Sequence, residues 1–266
     1  MKALLGDYPV TKLFKQKAGF DFADVKVPNT AFKRVVRDLE FDVAELAIVT
    51  YLLAKAHGKP LRLLPAVLTA RFQHPYLVSS KQISPKQLEG RRIGQRSYSV
   101  TTATWVRGIL EQDYGVDLSK VHWVTFEDPH VAEFRDPPNA ERAAPGKDIT
   151  AMLLAGELDA AIVGEVPKDG PIRTLIADPA AAAEAWKKRT GAALQINHMV
   201  VVKDSVSRRK SDELYALLAE SRKAAGNPPM NPFGIEENRR NLEAAIDCCY
   251  RQRMIPRRYA VEELFE

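Results

Sequence analysis

Short apolar runs of strand length alternate with helical periodicity along nearly the whole of this chain. That alternation predicts an α/β architecture with largely parallel sheets, because parallel neighbours need crossovers long enough to hold a helix. Phe41 to Ala44 reads as a strand leading into a helix over 45–57, closed by Gly58. Further strands are predicted at 61–67, 76–80, 92–95, 121–126, 159–163, 172–176 and 197–202. Helices are predicted at 101–114, 149–156, 179–189, 211–225 and 236–253, with Asp148 capping the second of these. Ser84-Pro85-Lys86-Gln87 is a capping-box start for a short helix ending at Gly90. Residues 127–147 form one long loop, a length that inside a compact domain usually carries function.

Composition narrows the class. At 266 residues, 45% hydrophobic and 27% charged, the chain can bury a proper core in one large domain or two modest ones. The 39 Lys and Arg exceed the 34 Asp and Glu by five, but they are spread along the sequence. A cleft for a small anion explains that excess better than nucleic acid, which calls for a gathered basic surface. No window approaches the roughly 18 apolar residues of a membrane span. The apolar start is too short for a signal peptide and is broken by Gly6 and Asp7. The cysteines are the adjacent Cys248 and Cys249, which suit neither a disulfide framework nor a metal knuckle. The expectation is a cytoplasmic protein with a small-molecule partner, no nucleic-acid or membrane partner, and a homo-oligomeric state left open. No P-loop, GxGxxG, GxSxG, HxH or HExxH pattern occurs.

Three segments together resemble the type II periplasmic-binding-protein fold: Phe41-Asp42-Val43-Ala44-Glu45 before a helix, Pro85-x-x-Leu88-x-Gly90-Arg91-Arg92-Ile93-Gly94 before a Ser/Thr-rich helix start, and Leu153-Leu154-Ala155-Gly156-Glu157-Leu158-Asp159-Ala160-Ala161-Ile162. The resemblance implies two α/β lobes joined by two crossover strands near 91–98 and 190–199, with a ligand cleft between the lobes. Lobe 1 would be discontinuous, 1–93 with 197–266, and lobe 2 would be 94–196. Within that fold the chain is similar to the 4,5-dihydroxyphthalate decarboxylase group. The likeness is carried by Arg37-Asp38-Leu39-Glu40-Phe41-Asp42-Val43-Ala44-Glu45-Leu46-Ala47, Ala70-Arg71-Phe72-Gln73-His74, Arg96-Ser97-Tyr98-Ser99-Val100-Thr101-Thr102-x-x-Trp105-Val106-Arg107-Gly108, Trp123-Val124-Thr125-x-Glu127-Asp128-x-His130 and Ile196-Asn197-His198.

The resemblance implies a carboxy-lyase acting on a hydroxylated aromatic acid, most like 4,5-dihydroxyphthalate, to give 3,4-dihydroxybenzoate. Such a reaction needs an acid to protonate the carboxyl-bearing ring carbon, a hydrogen-bond partner or base at the para hydroxyl, and cations for the carboxylates. His74, His130 and His198 are the candidates for proton transfer, since an ordinary imidazole titrates near neutrality. Glu45 is the candidate partner or base. Arg71 and Arg96 suit a carboxylate through paired guanidinium bonds. Ser97, Ser99, Thr101 and Thr102 offer hydroxyls at a helix start, where an anion also meets free N–H groups, although such residues equally serve as plain N-caps; Asn197 completes the substrate-binding candidates. Trp105 and Trp123 offer rings to stack on an aromatic substrate, although a Trp at helical spacing more often packs in a core; Asp159 reads as structural, Glu165 as a weaker cleft candidate and His57 as a helix C-cap. No cofactor is expected; a divalent metal is conceivable but not favoured, for want of ligand spacing. Competing readings are a binding protein delivering an organic or aromatic acid to a transporter and a lyase on another small carboxylate.

Overall fold

Every residue of Val43–Ala47 is buried, as a strand covered on both faces requires. In the computed structural model, which describes residues 1–266, it is the middle strand of a five-stranded sheet. The elements from the start of the chain are β1 (Lys2–Leu4), α1 (Pro9–Lys17), β2 (Asp21–Phe22), α2 (Phe32–Val36), β3 (Val43–Ala47), α3 (Ile48–Ala56) and β4 (Leu61–Ala70). There follow β5 (Leu77–Ser79), β6 (Arg92–Gln95), α4 (Thr101–Tyr114), β7 (His122–Thr125), β8 (Ala140–Arg142), α5 (Ile149–Leu154), β9 (Ala160–Ile162), β10 (Arg173–Thr174) and α6 (Pro179–Thr190). The chain ends with β11 (Ile196–Lys203), α7 (Arg208–Ala224) and α8 (Ile235–Arg251).

Two units result. Unit 1 comprises 1–71, 130–133 and 192–266; unit 2 comprises 72–129 and 134–191. The expected passage near 91–98 is therefore displaced to 71/72. The reason is sheet membership: β5 pairs with β9, and β6 lies between β9 and β7 in the unit 2 sheet, so residues 72–93 cannot belong to unit 1. The return at 191/192 lies within the expected 190–199 stretch but ahead of the expected 196/197 boundary. Residues 130–133, read from sequence as part of one loop, rejoin unit 1.

The unit 1 sheet has the order β2-β1-β3-β11-β4. β1 runs parallel to β2 and β3, whereas β11 is antiparallel to both β3 and β4, so the expectation of largely parallel sheets fails here. β4 carries Pro65 in mid-strand. It is tolerated because β4 is an edge strand and the register skips there, from Leu64 opposite Val200 to Val67 opposite Met199. Ala3, Leu5, Val43, Leu64, Val200 and Val202 pack with Phe14 of α1 and Leu214 and Leu218 of α7 into a continuous core. Burial of each of the Val, Leu and Phe side chains among them contributes about 1.5–3 kcal/mol.

The unit 2 sheet, β10-β5-β9-β6-β7-β8, is parallel through β9, β6, β7 and β8, with antiparallel β5 and β10 at one side. Its helices begin and end where the residues dictate. Asp148 accepts from Ala151 N–H at the start of α5, and Asp178 does the same for Ala181 before α6. Gly115 and Gly191 close α4 and α6 in the left-handed conformation. The capping box at Ser84 forms but holds only a single 3₁₀ turn, Pro85–Gln87. No helix is long and apolar enough to cross a membrane.

Candidate active site

Glu45 is fully buried in the middle of β3. Sequence reasoning puts it at the start of a helix, but pairing with β11 keeps the strand extended as far as Ala47, and α3 begins only at Ile48. In that register Glu45 faces Val200 while His198 faces Ala47. Residues two apart on a strand share a face, so Glu45 and His198 are diagonal neighbours within reach of long side chains. They meet: His198 Nδ1 lies 2.6 Å from Glu45 Oε1. A carboxylate oxygen only accepts, so in this pair Nδ1 is the donor and Nε2 is the ring nitrogen left clear of Glu45 to exchange a proton.

Two further donors hold the carboxylate. The Gly6 N–H donates to Oε2 at 2.9 Å, and the Tyr8 hydroxyl donates to Oε1 at 2.8 Å. Burial, and then the Glu45 charge, pushes the Tyr8 hydroxyl above its ordinary range, which keeps it a donor. Glu45 therefore stands behind the partly exposed His198 and Tyr8, and does not itself present a free oxygen as base. Sequence reasoning missed both Gly6 and Tyr8. The signal that could have found them is Gly6-x-Tyr8-Pro9 directly after an apolar triplet, a tight turn from a strand end into a Pro-started helix.

His130 is buried in the same unit, with Nδ1 2.8 Å from Thr50 Oγ1 in the first turn of α3. Its carbonyl accepts from Arg37 Nε at 2.8 Å, which fixes the short 130–133 segment in unit 1. Phe32 meets both imidazoles edge to face, with ring centroids 5.6 Å from His130 and 5.2 Å from His198. Asn197 is buried on β11, and the Arg71 N–H bonds Gln195 O at 3.2 Å. Unit 1 thus brings together Glu45, His198 and His130 around Tyr8 and Phe32.

The remaining candidates lie in unit 2. His74 opens a 3₁₀ turn and is completely buried; neither ring nitrogen has a hydrogen-bond partner, and burial pushes its pKa down to about 4. It packs near Phe72, whose ring meets Trp186, and Asp113 of α4 and Arg189 of α6 are the charged groups that act on it. Arg96 forms an ion pair with Glu127 at 3.4 Å. The Ser97 and Ser99 hydroxyls are buried 3.4 Å apart, with Thr101 and Thr102 opening α4. None of these hydroxyls caps the helix, since the N-cap is Val100.

This segment is held from within α4 by Arg107, which sequence reasoning did not single out. Fully buried, Arg107 donates to Gln95 Oε1 at 2.6 Å and Tyr98 O at 2.8 Å, and stacks 3.7 Å from the centre of the Tyr98 ring. Trp105 and Trp123 are core residues, the latter donating to Leu118 O, and Glu165 lies exposed after β9. Asp159 is structural, accepting from Lys81 and from the Arg92 N–H. No group of three or more His, Cys, Asp or Glu side chains is placed to share a metal ion.

No family model matches the chain. It is 32% identical over 178 residues to 4,5-dihydroxyphthalate decarboxylase of Comamonas testosteroni, across 61% of this chain and 54% of that protein. It is 31% identical over 175 residues to 4,5-dihydroxyphthalate decarboxylase of Pseudomonas putida, across 60% of this chain and 68% of that protein. The chain belongs to the 4,5-dihydroxyphthalate decarboxylase family. The match spans about half the length of the Comamonas relative. In fold this family member is a periplasmic-binding-protein-like α/β protein. The periplasmic aliphatic sulphonate binding protein SsuA of Escherichia coli superposes on it with a TM-score of 0.58 at 12% identity, covering 100% of this chain and 96% of that one.

Proposed function

We propose that this chain decarboxylates a hydroxylated aromatic carboxylic acid, 4,5-dihydroxyphthalate to 3,4-dihydroxybenzoate, in the cytoplasm and without a cofactor. The observation that carries the reading is the His198 imidazole fixed through Nδ1 on a fully buried Glu45, in a chain whose named relatives are decarboxylases. That arrangement suits a proton carrier with one defined working nitrogen.

In the proposed step the para hydroxyl loses its proton to a base and pushes electron density onto the carboxyl-bearing ring carbon. The Nε2 proton of His198 is delivered to that carbon. The carbon–carboxylate bond then breaks, carbon dioxide leaves, its bonding pair restores the aromatic ring, and the hydroxyl regains a proton. The net change is one proton in and one carbon dioxide out. Glu45 stabilises the imidazolium before transfer. His130, on Phe32 with His198, is the candidate for the hydroxyl proton, and Arg71 with Asn197 of the same unit for a carboxylate.

The test is carbon dioxide release from 4,5-dihydroxyphthalate by purified protein, with and without a chelator. Chelator-insensitive release is expected. Chelator-sensitive release would keep the enzyme and assign the histidines to metal ligation. Tight binding without release would replace the proposal with a binding protein.

A further inference from the structure

We infer that Tyr8 is a positioning residue for the His198–Glu45 pair, acting through the single carboxylate oxygen it shares with His198. Both the Tyr8 hydroxyl and His198 Nδ1 donate to Glu45 Oε1, at 2.8 and 2.6 Å, while Oε2 takes only a backbone donor, the Gly6 N–H. Two donors on one oxygen compete, and each draws off electron density the other would use. Tyr8 therefore limits how tightly Glu45 grips the imidazole. Its kinetic consequence, though not the contact itself, rests on the function proposed above.

The turn that delivers Tyr8 is built for this placement. The Tyr8 N–H donates to Thr11 Oγ1 at 3.0 Å, and that buried hydroxyl donates in turn to Gly6 O at 2.7 Å. The Tyr8 ring then folds back over Gly6 so closely that a Cβ there would stand 2.5 Å from one ring carbon and 2.7 Å from the hydroxyl oxygen. Real Cβ atoms do not approach that near, so any side chain at position 6 displaces the phenol from Glu45. Gly6 thus serves twice: its N–H holds Oε2, and its missing side chain admits the ring that reaches Oε1.

Without the phenol, Oε1 has one side-chain donor and holds the imidazolium more firmly, which then gives up its Nε2 proton less readily. The test is the Nδ1 proton resonance of His198 in full-length protein labelled with ¹⁵N-histidine, assigned by its disappearance in His198→Gln. Tyr8→Phe, which keeps the ring, is expected to move it downfield, and Gly6→Ala to move it the same way. In the same variants kcat for 4,5-dihydroxyphthalate is expected to fall about three- to tenfold with KM changed less than about twofold. A resonance that stays in place or moves upfield in a folded Tyr8→Phe protein overturns the inference. A downfield shift in a protein that releases no carbon dioxide sustains the role of Tyr8 in the pair and removes the decarboxylase reading instead.

Discussion

Glu45 and His198 stand on neighbouring antiparallel strands, two residues out of register, and a 2.6 Å hydrogen bond closes the diagonal between them. Changing either partner separates two jobs. His198→Gln removes the proton carrier and is expected to lower kcat by about 10²–10⁴-fold. Glu45→Gln keeps the imidazole but loses its charge partner, and is expected to cost about 10–100-fold with little change in KM. Steady-state carbon dioxide release measures both, and equal losses in the two variants would contradict the division.

His74 makes the folded protein acid-sensitive. Burial holds it at about 4, against about 6.5 in an unfolded chain. Between those values the unfolded chain binds a proton that the folded chain refuses, so stability falls as pH drops from about 6.5 to about 4 and is level on this account above that window. Allowing for partial solvent screening, the loss between pH 7 and pH 4.5 is about 2 kcal/mol. Urea unfolding at the two pH values should show that loss in the wild type and its absence in His74→Phe.

Arg107 supports the start of α4 from below. Arg107→Met leaves Gln95 Oε1 and Tyr98 O without the donor that now reaches each. The expected cost is about 2–4 kcal/mol, read as a lowered urea midpoint at unchanged slope. Arg107→Lys is expected to recover only part of it, because an ammonium cannot bridge both acceptors and stack on Tyr98.

Phe32 is the wall that both His130 and His198 lean on. Phe32→Ala opens a cavity in a fully packed place and is expected to cost about 3–5 kcal/mol in chemical denaturation. Phe32→Leu should restore most of the stability but not the edge-to-face contacts, so turnover should remain below wild type while the unfolding midpoint recovers.

The sequence disclosed the elements whose ends carry their own chemistry. Helix α4 runs over the residues its periodicity predicts and stops at Gly115; α5 and α6 begin at Asp148 and Asp178, whose side chains cap them. It disclosed less where tertiary pairing decides. Lys2–Leu4 is too short for any period to show, yet it is an inner strand, and the turn after it brings Gly6 and Tyr8 to Glu45. The antiparallel course of β11 leaves no trace in its β-branched composition, and that course is what holds Glu45 in a strand and beside His198. The histidines were visible as residues, but not that two would share Phe32 while the third would be sealed without partners.

The four residues 130–133 interrupt unit 2 in sequence while belonging to unit 1 in space. An exchange of residues 72–191 for the matching stretch of another protein would replace residues 130–133 as well, and with them the imidazole that stands against Phe32 and Thr50. The two units are thus not independent cassettes: the stretch of chain that carries unit 2 also carries one of the two histidines on Phe32, so replacing that stretch alters the unit 1 site as well.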